Sequence, residues 1–231
     1  MKKIPAILSA YRDLSPTARE IILTPSEPFP FVAGSFINLF ITHEGKTLRR
    51  AFSLSSSDRN PDTLSVSVRL SPQGAVTPLF WQESLIGTHV EIMGPLGLNT
   101  ADKMHHRRVF LFGFGVGAGV VKSLVHHFTE TKSVDELTIM TGSRADDDIL
   151  HKDYFDRCAH TYPFAHLSYV VSQPQPDSPY KKGYMQEHLG GMDFSNADVY
   201  VCGQTVACDA LIAEVKKTNP TDCTFFVEAF H

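Results

Sequence analysis

Residues Gly113-Phe114-Gly115-Val116-Gly117-Ala118-Gly119 place a glycine at every second position, between an apolar run at 109–112 and a helical pattern at 120–128. Such a loop lets backbone N–H groups approach a pyrophosphate, whose charge then sits at a helix N-terminus. The G-x-G-x-G-x-G spacing departs from the G-x-G-x-x-G of dinucleotide folds, and it also suits a tight strand-to-helix turn that needs positive φ. A second constellation is Arg50-Ala51-Phe52-Ser53. An arginine can grip a phosphate with its fork of donors. An aromatic two residues on shares its face of a strand, and the serine hydroxyl can donate to a ring nitrogen. Read alone, the same four residues describe a surface arginine beside a half-buried strand. A third is Gly74-Ala75-Val76-Thr77, a glycine and a hydroxyl at an expected helix start, where unpaired N–H groups favour an anion.

These residues need elements to position them. Up to about Leu98 the apolar residues alternate, at 20–23, 36–41, 50–54, 64–70 and 89–93, with turn-forming clusters such as Pro25-Ser26-Glu27-Pro28 and His43-Glu44-Gly45-Lys46 between them. That spacing predicts a small antiparallel β-barrel, interrupted by one helix at 75–84. From Arg107 strands and helices alternate: strands at 109–112, 137–140, 167–171, 199–202 and 224–227, helices at 120–128, 149–158 and 206–217. Alternation of this kind predicts a doubly wound parallel sheet. The polar, aperiodic stretch 99–106 is the expected boundary, giving domains 1–100 and 101–231. Residues 173–179 form a proline-rich loop, and Asp146-Asp147-Asp148 reads as the acidic start of the 149–158 helix, where negative charge complements the macrodipole.

Further segments extend the set: Gly87-Thr88-His89-Val90-Glu91-Ile92-Met93-Gly94-Pro95-Leu96-Gly97, Gly142-Ser143-Arg144 after one strand, Cys202-Gly203-Gln204 after another, and a terminal Glu228-Ala229-Phe230-His231. In this order and spacing, across nearly the whole chain, the set resembles the ferredoxin–NADP reductase superfamily of flavoprotein reductases. The resemblance implies a barrel that holds FAD or FMN, here expected to be FAD, and an α/β domain that binds NAD(P)H. It implies that Arg50 meets the flavin phosphates, that Phe52 packs along the isoalloxazine, and that Ser53 lies near flavin N5, with Ala51 between them. Gly74, Val76 and Thr77 match the segment that holds the pyrophosphate, and Arg69, on the strand beside the FAD, is a further phosphate ligand or a solvated strand arginine. Gly113, Gly115 and Gly117 match the loop under the nicotinamide nucleotide, although Phe114, Val116 and Val120 replace the glycine, threonine and proline common there. Cys202 and Gly203 match the family's C-G-P, with Gln204 for proline, and put Cys202 beside nicotinamide C4. Glu228 and Phe230 match an ending in which the aromatic covers the flavin where nicotinamide enters, and His231 extends one residue further. Ser53, Cys202 and Glu228 are thus the expected catalytic residues, and Arg144 a candidate nucleotide contact.

The implied reaction is hydride transfer from nicotinamide C4 to flavin N5. Gln173 stands where several NADP-dependent relatives carry arginine, so NADH is favoured, with Arg144, Lys181 and Lys182 as the basic residues that would argue for NADPH. The expected acceptor is a separate one: ferredoxin, flavodoxin, an oxygenase component, or a small molecule such as an iron chelate. Two other readings stand beside this one: a reductase that uses free flavin as substrate, and a non-catalytic nucleotide-binding or regulatory subunit on the same fold.

Composition narrows the classes. The 231 residues carry a net charge of −4 and 42% hydrophobic residues, an ordinary globular composition without the basic patches that bind nucleic acid. The N-terminus shows no signal-peptide core, and no apolar run reaches the ~20 residues that span a bilayer. Cys158, Cys202, Cys208 and Cys223 lack metal-binding spacing and read as thiols in a reducing cytoplasm. No metal site is expected. The pairs His105-His106 and His126-His127 read as solvated or helix-end histidines, since adjacent side chains diverge. Nothing in the sequence specifies an oligomeric state.

Overall fold

The computed structural model describes residues 2–230; His231 lies outside them. Twelve strands form two six-stranded sheets among the described residues. The first comprises β1 (Ile4–Ser15), β2 (Ala18–Pro25), β3 (Phe36–His43), β4 (Lys46–Ser53), β5 (Leu64–Arg69) and β6 (His89–Leu96), in the order β4-β3-β6-β1-β2-β5. Neighbours run antiparallel. A bridge from Leu54 to Val66 brings the two edges together, so the sheet curls on itself and encloses Leu8, Ile21, Leu23, Ile37, Leu39, Ile41 and Val66, all at most 1% exposed. The strands alternate because one face fills this core and the other meets water or the second domain.

The second sheet is parallel, in the order β10-β9-β8-β7-β11-β12: β7 (Arg108–Phe114), β8 (Glu136–Ser143), β9 (Ala165–Val171), β10 (Lys181–Lys182), β11 (Ala197–Gln204) and β12 (Cys223–Phe230). Helices α1 (Gly117–Thr131), α2 (Lys152–Thr161) and α3 (Thr205–Lys217) connect them. Strand β7 has β8 on one side and β11 on the other. The winding therefore reverses there, and open α/β sheets bind ligands outside the strand ends at such a point. The central strands β7 and β11 are almost wholly buried, as expected for strands covered on both faces.

The antiparallel barrel followed by a parallel sheet is the predicted fold. Several local expectations differ. Strands β1 and β10 are additional to the expected set. The helix expected at 75–84 is instead two 3-10 turns, Thr77–Trp81 and Glu83–Leu85. Val76, Leu79 and Phe80 are still buried, so their apolar spacing reflects burial of a short turn with Pro78 near its start. Asp146–Asp148 forms its own 3-10 turn, and α2 begins only after His151, which takes a left-handed φ of 57°.

Candidate active site

The site is built on adjacent strand ends. Gly113 at the end of β7 pairs with Cys202 on β11, and Cys202 pairs with Glu228 on β12. The Ser53 hydroxyl, at the end of β4 in the barrel, donates to Glu228 Oε1. A row of Gly113, Cys202, Glu228 and Ser53 therefore crosses from one domain into the other. Three residues expected to be catalytic, 149 positions or more apart in sequence between Ser53 and the others, are brought together by the parallel register and one hydrogen bond.

The electrostatics of this row favour protonated groups. Burial pushes the Glu228 carboxyl up to about 7, against the lowering effect of the Ser53 hydrogen bond. Burial, and then the neighbouring Glu228 charge, push the Cys202 thiol well above its ordinary range. Cys202 is 2% exposed and is held as a neutral thiol. A half-buried acid that titrates near neutrality is poised to hold or release a proton.

The glycines serve close approach. Gly115 has φ +54°, and a Cβ there would meet only Arg69 Nη2, at 3.8 Å, so the space above the loop is open. A Cβ at Gly117 would run into the Cys202 carbonyl, which places the start of α1 hard against the end of β11. Gly203 has φ +148°, and its Cβ would lie 2.6 Å from Phe114 Cβ. The first turn of α1 has no side-chain cap and no acidic residue, so the positive end of its dipole is not neutralised by its own side chains. Such a helix start, open above a glycine loop, fits a pyrophosphate.

On the barrel side, Arg50 is exposed on β4, while Phe52 is half-buried. The Phe52 ring meets Phe80 edge-on at 5.7 Å, linking the Arg50–Ser53 segment to the turn that follows Gly74-Ala75-Val76-Thr77. Gly74 closes a turn through its N–H to the Ser71 carbonyl, 2.9 Å. Val76 is buried. The Thr77 hydroxyl is turned back on the same loop, donating to Ser71 O at 3.2 Å and accepting from Ser71 N at 3.0 Å. The exposed arginine, the aromatic beside it and the half-buried Ser53–Glu228 pair fit a flavin: one group for phosphate, one for a ring, one for a ring nitrogen.

The remaining expected residues have partners within the chain. Arg69 is engaged by Asp148 of the second domain, at 2.9 Å, and by Thr17 Oγ1 at 2.6 Å. Arg144 is exposed, with its Nε donating to Gln173 Oε1 at 3.1 Å. Phe230 is half-buried at the end of β12, opposite Gln204, and its carbonyl accepts from Thr205 Oγ1 at 3.3 Å. The histidines are not simply solvated: His106 bonds the wholly buried Asp198 at 2.8 Å and Asp222 at 3.1 Å, and His127 bonds Asp58 at 2.6 Å. Asn99 belongs to no motif, yet its amide donates to Val227 O at 2.6 Å and ties the linker to β12.

Both domains have known relatives. Residues 8–100 match the oxidoreductase FAD-binding domain family, and residues 111–213 match the oxidoreductase NAD-binding domain family. The chain belongs to the ferredoxin–NADP reductase-like superfamily of flavoprotein oxidoreductases. It is 28% identical to the reductase component of phenol 2-monooxygenase from Pseudomonas sp., over 97% of this chain and 65% of that one. It is 24% identical to ferredoxin–NADP reductase B from Sorangium cellulosum, over 86% and 85% of the two chains. A ferredoxin NADP+ reductase from Neisseria gonorrhoeae, solved with FAD and NADP, shares the fold with a TM-score of 0.85 at 14% identity, over 98% and 99% of the chains. The first three curated relatives are longer, and the chain spans 65%, 63% and 56% of their lengths. Among the described residues no helix is long and apolar enough to cross a membrane, and no cluster of His, Cys, Asp or Glu could hold a metal ion.

Proposed function

We propose that this chain is an FAD-dependent reductase that draws electrons from NAD(P)H and passes them to a separate acceptor. Residues 1–100 hold the flavin and 101–231 the nicotinamide nucleotide. The observation that carries the reading is the row Gly113, Cys202, Glu228 and Ser53, which joins the nucleotide loop of one domain to the flavin segment of the other. Two cofactor sites that share an edge are what a hydride transfer requires.

When bound, the nicotinamide and the flavin supply the hydride chemistry between them. The protein's part is binding, placement and proton control. Arg50 holds phosphate charge. Phe52 is braced by Phe80 and offers a ring surface beside it. The glycine loop and the N-terminus of α1 take the nucleotide pyrophosphate. Ser53 holds a hydrogen-bonding hydroxyl in place through Glu228, whose carboxyl can keep or give up a proton near neutral pH. Cys202, uncharged, lines the strand ends without adding negative charge, and Phe230 covers the site and keeps water out.

The acceptor we favour is the oxygenase component of a two-part system, because several relatives are named as monooxygenase reductases. The absence of arginine at position 173 supports NADH. The four cysteines, all free thiols, support a reducing cytoplasmic setting. The test is steady-state oxidation of NADH and NADPH by the FAD-loaded protein with ferredoxin, flavodoxin, an oxygenase component and ferricyanide as acceptors. Turnover that needs an added acceptor supports the reading, and no turnover with any of them contradicts it. One observation favours flavin as an exchangeable substrate: the Thr77 hydroxyl is spent on Ser71. Retention of FAD through gel filtration would exclude that version.

A further inference from the structure

Helix α1 begins at the glycine loop, and one of its faces lies on the barrel. Gly119, Lys122, Ser123, His127 and Glu130 recur at helical spacing, and each meets a barrel group. A Cβ at Gly119 would come within 2.8 Å of Ser67 Cβ and 3.1 Å of Ser55 Cβ. Lys122 Nζ donates to Glu20 Oε1 at 2.6 Å. Ser123 Oγ donates to Ser56 O at 2.8 Å. His127 Nδ1 lies 2.6 Å from Asp58 Oδ2, and Glu130 accepts from Ser57 Oγ at 3.2 Å. Four of the five contacts fall wholly or partly on residues 55–58, which begin two residues after Ser53.

Lys122 and Glu20 form the centre of this face. Their side chains are 10% and 5% exposed. Glu20 also accepts from the Ser55 and Ser65 hydroxyls, each at 3.1 Å, and from Arg12 at 2.5 Å. Burial alone would raise the Glu20 carboxyl, but Lys122 first, with His151 and Arg12, together outweigh it and hold it down at about 2. Glu20 is therefore ionised. A buried ion pair with its hydrogen bonds satisfied has one good geometry, whereas an apolar face can slide. Beside it, His151 Nε2 lies 2.8 Å from Ser67 Oγ, a further polar link from the nucleotide domain.

We infer that Lys122 is a positioning residue: through its buried pair with Glu20 it fixes α1, and with it the glycine loop, at one distance from Ser53. This rests on the proposed hydride transfer between nucleotide and flavin. The same short segments carry both ends of the relationship, since Lys122 is five residues from Gly117 and Ser55 is two from Ser53. A small displacement of reacting atoms slows such a transfer by up to about a hundredfold while leaving binding intact.

The test compares wild type with Lys122→Met and with Glu20→Leu/Lys122→Met. Single-turnover flavin reduction, nucleotide Kd, flavin midpoint potential and thermal midpoint are measured on the FAD-loaded protein. Amide hydrogen exchange at 53–58 and 117–123 is measured on the cofactor-free protein. Lys122→Met should reduce flavin at least about tenfold more slowly, with Kd and potential unchanged and faster exchange in both segments. The double variant replaces a charged pair by apolar groups and should regain thermal stability while remaining slow. Recovery of both stability and rate in the double variant overturns the inference, as does a wild-type rate in Lys122→Met. If Lys122→Met does not fold, Ser123→Ala reads the same face: slower reduction and faster exchange at 53–58 support the inference, and wild-type values for both overturn it. A wild-type protein that NADH and NADPH both fail to reduce would instead count against the proposed function.

Discussion

Ser53 and Glu228 are 175 residues apart in sequence and share a hydrogen bond across the two domains. The hydroxyl comes from the last residue of a barrel strand and the carboxylate from the last strand of the parallel sheet. Neither domain alone contains the pair, so the chemistry assigned to it depends on how the domains dock.

Removing the hydroxyl tests the barrel's half of that pair. Ser53→Ala should leave FAD bound but slow its reduction about tenfold to a hundredfold, the range expected for a hydrogen bond to a charged group. It should also raise the Glu228 carboxyl further, because the lost bond is the contact that lowers it. Rapid-mixing absorbance across pH reads both effects; an unchanged rate and pH profile would remove Ser53 from the account.

Glu228 should make stability pH-dependent in a defined direction. Its folded value of about 7 lies above the ordinary 4.5, so the folded state holds the proton more tightly. The stabilising contribution is complete below pH 4.5 and is lost as pH rises through 7. Glu228→Gln, which cannot ionise, should therefore gain on wild type over that window, by on the order of 3 kcal/mol above it. Denaturant unfolding of the cofactor-free protein at pH 5 and pH 8 measures the difference; equal offsets at both pH values would contradict a raised carboxyl.

His106 supplies a second pH dependence. Its hydrogen bonds to Asp198 and then Asp222 raise it above its ordinary 6.5. That contribution is full below pH 6.5 and fades as pH passes the raised folded value. His106→Gln should cost stability at pH 6 and progressively less at higher pH. Thermal midpoints along a pH series show whether the two curves converge.

Arg50→Ala should weaken FAD binding about tenfold to a hundredfold, in line with the loss of a charge-assisted hydrogen bond. Fluorescence titration of the cofactor-free protein gives the Kd. The weakening should diminish in high salt, because Arg50 is exposed and its charge is screened.

Gly117→Ala tests the closeness of α1 to β11. The added Cβ would meet the Cys202 carbonyl, which is backbone and cannot swing aside. A destabilisation of about 1–3 kcal/mol is expected from such overpacking, together with weaker nucleotide binding; a wild-type thermal midpoint would mean the loop has room the structure does not show.

Much of this was legible in the sequence for physical reasons. The period-2 barrel strands and the strand–helix alternation after Arg107 report burial directly, and Ser53, Gly113, Cys202 and Glu228 stand near strand ends that the fold brings together. Strand β1 escaped because only Ala6 and Leu8 along it are buried, with Pro5 and a register shift between Leu8 and Ala10 blurring the alternation. The 75–84 segment misled because Val76, Leu79 and Phe80 have helical spacing that two 3-10 turns bury equally well. The docking face of α1 was hidden by its chemistry: Lys122, Ser123, His127 and Glu130 look like a solvated helix face, and only the partners Glu20, Ser56, Asp58 and Ser57 show that it is an interface. Likewise Asp198, wholly buried under His106, reads as an ordinary surface acid until the fold is known.

The central claim is that the two cofactors meet at the Ser53–Glu228 row. Anaerobic rapid mixing of FAD-loaded protein with NADH, followed by the flavin's visible absorbance, tests it most directly. The account predicts bleaching in a single fast phase that slows in Ser53→Ala and Glu228→Gln without a matching change in nucleotide affinity. A chain that takes up no FAD, or a loaded chain whose flavin stays oxidised with both NADH and NADPH, would contradict it.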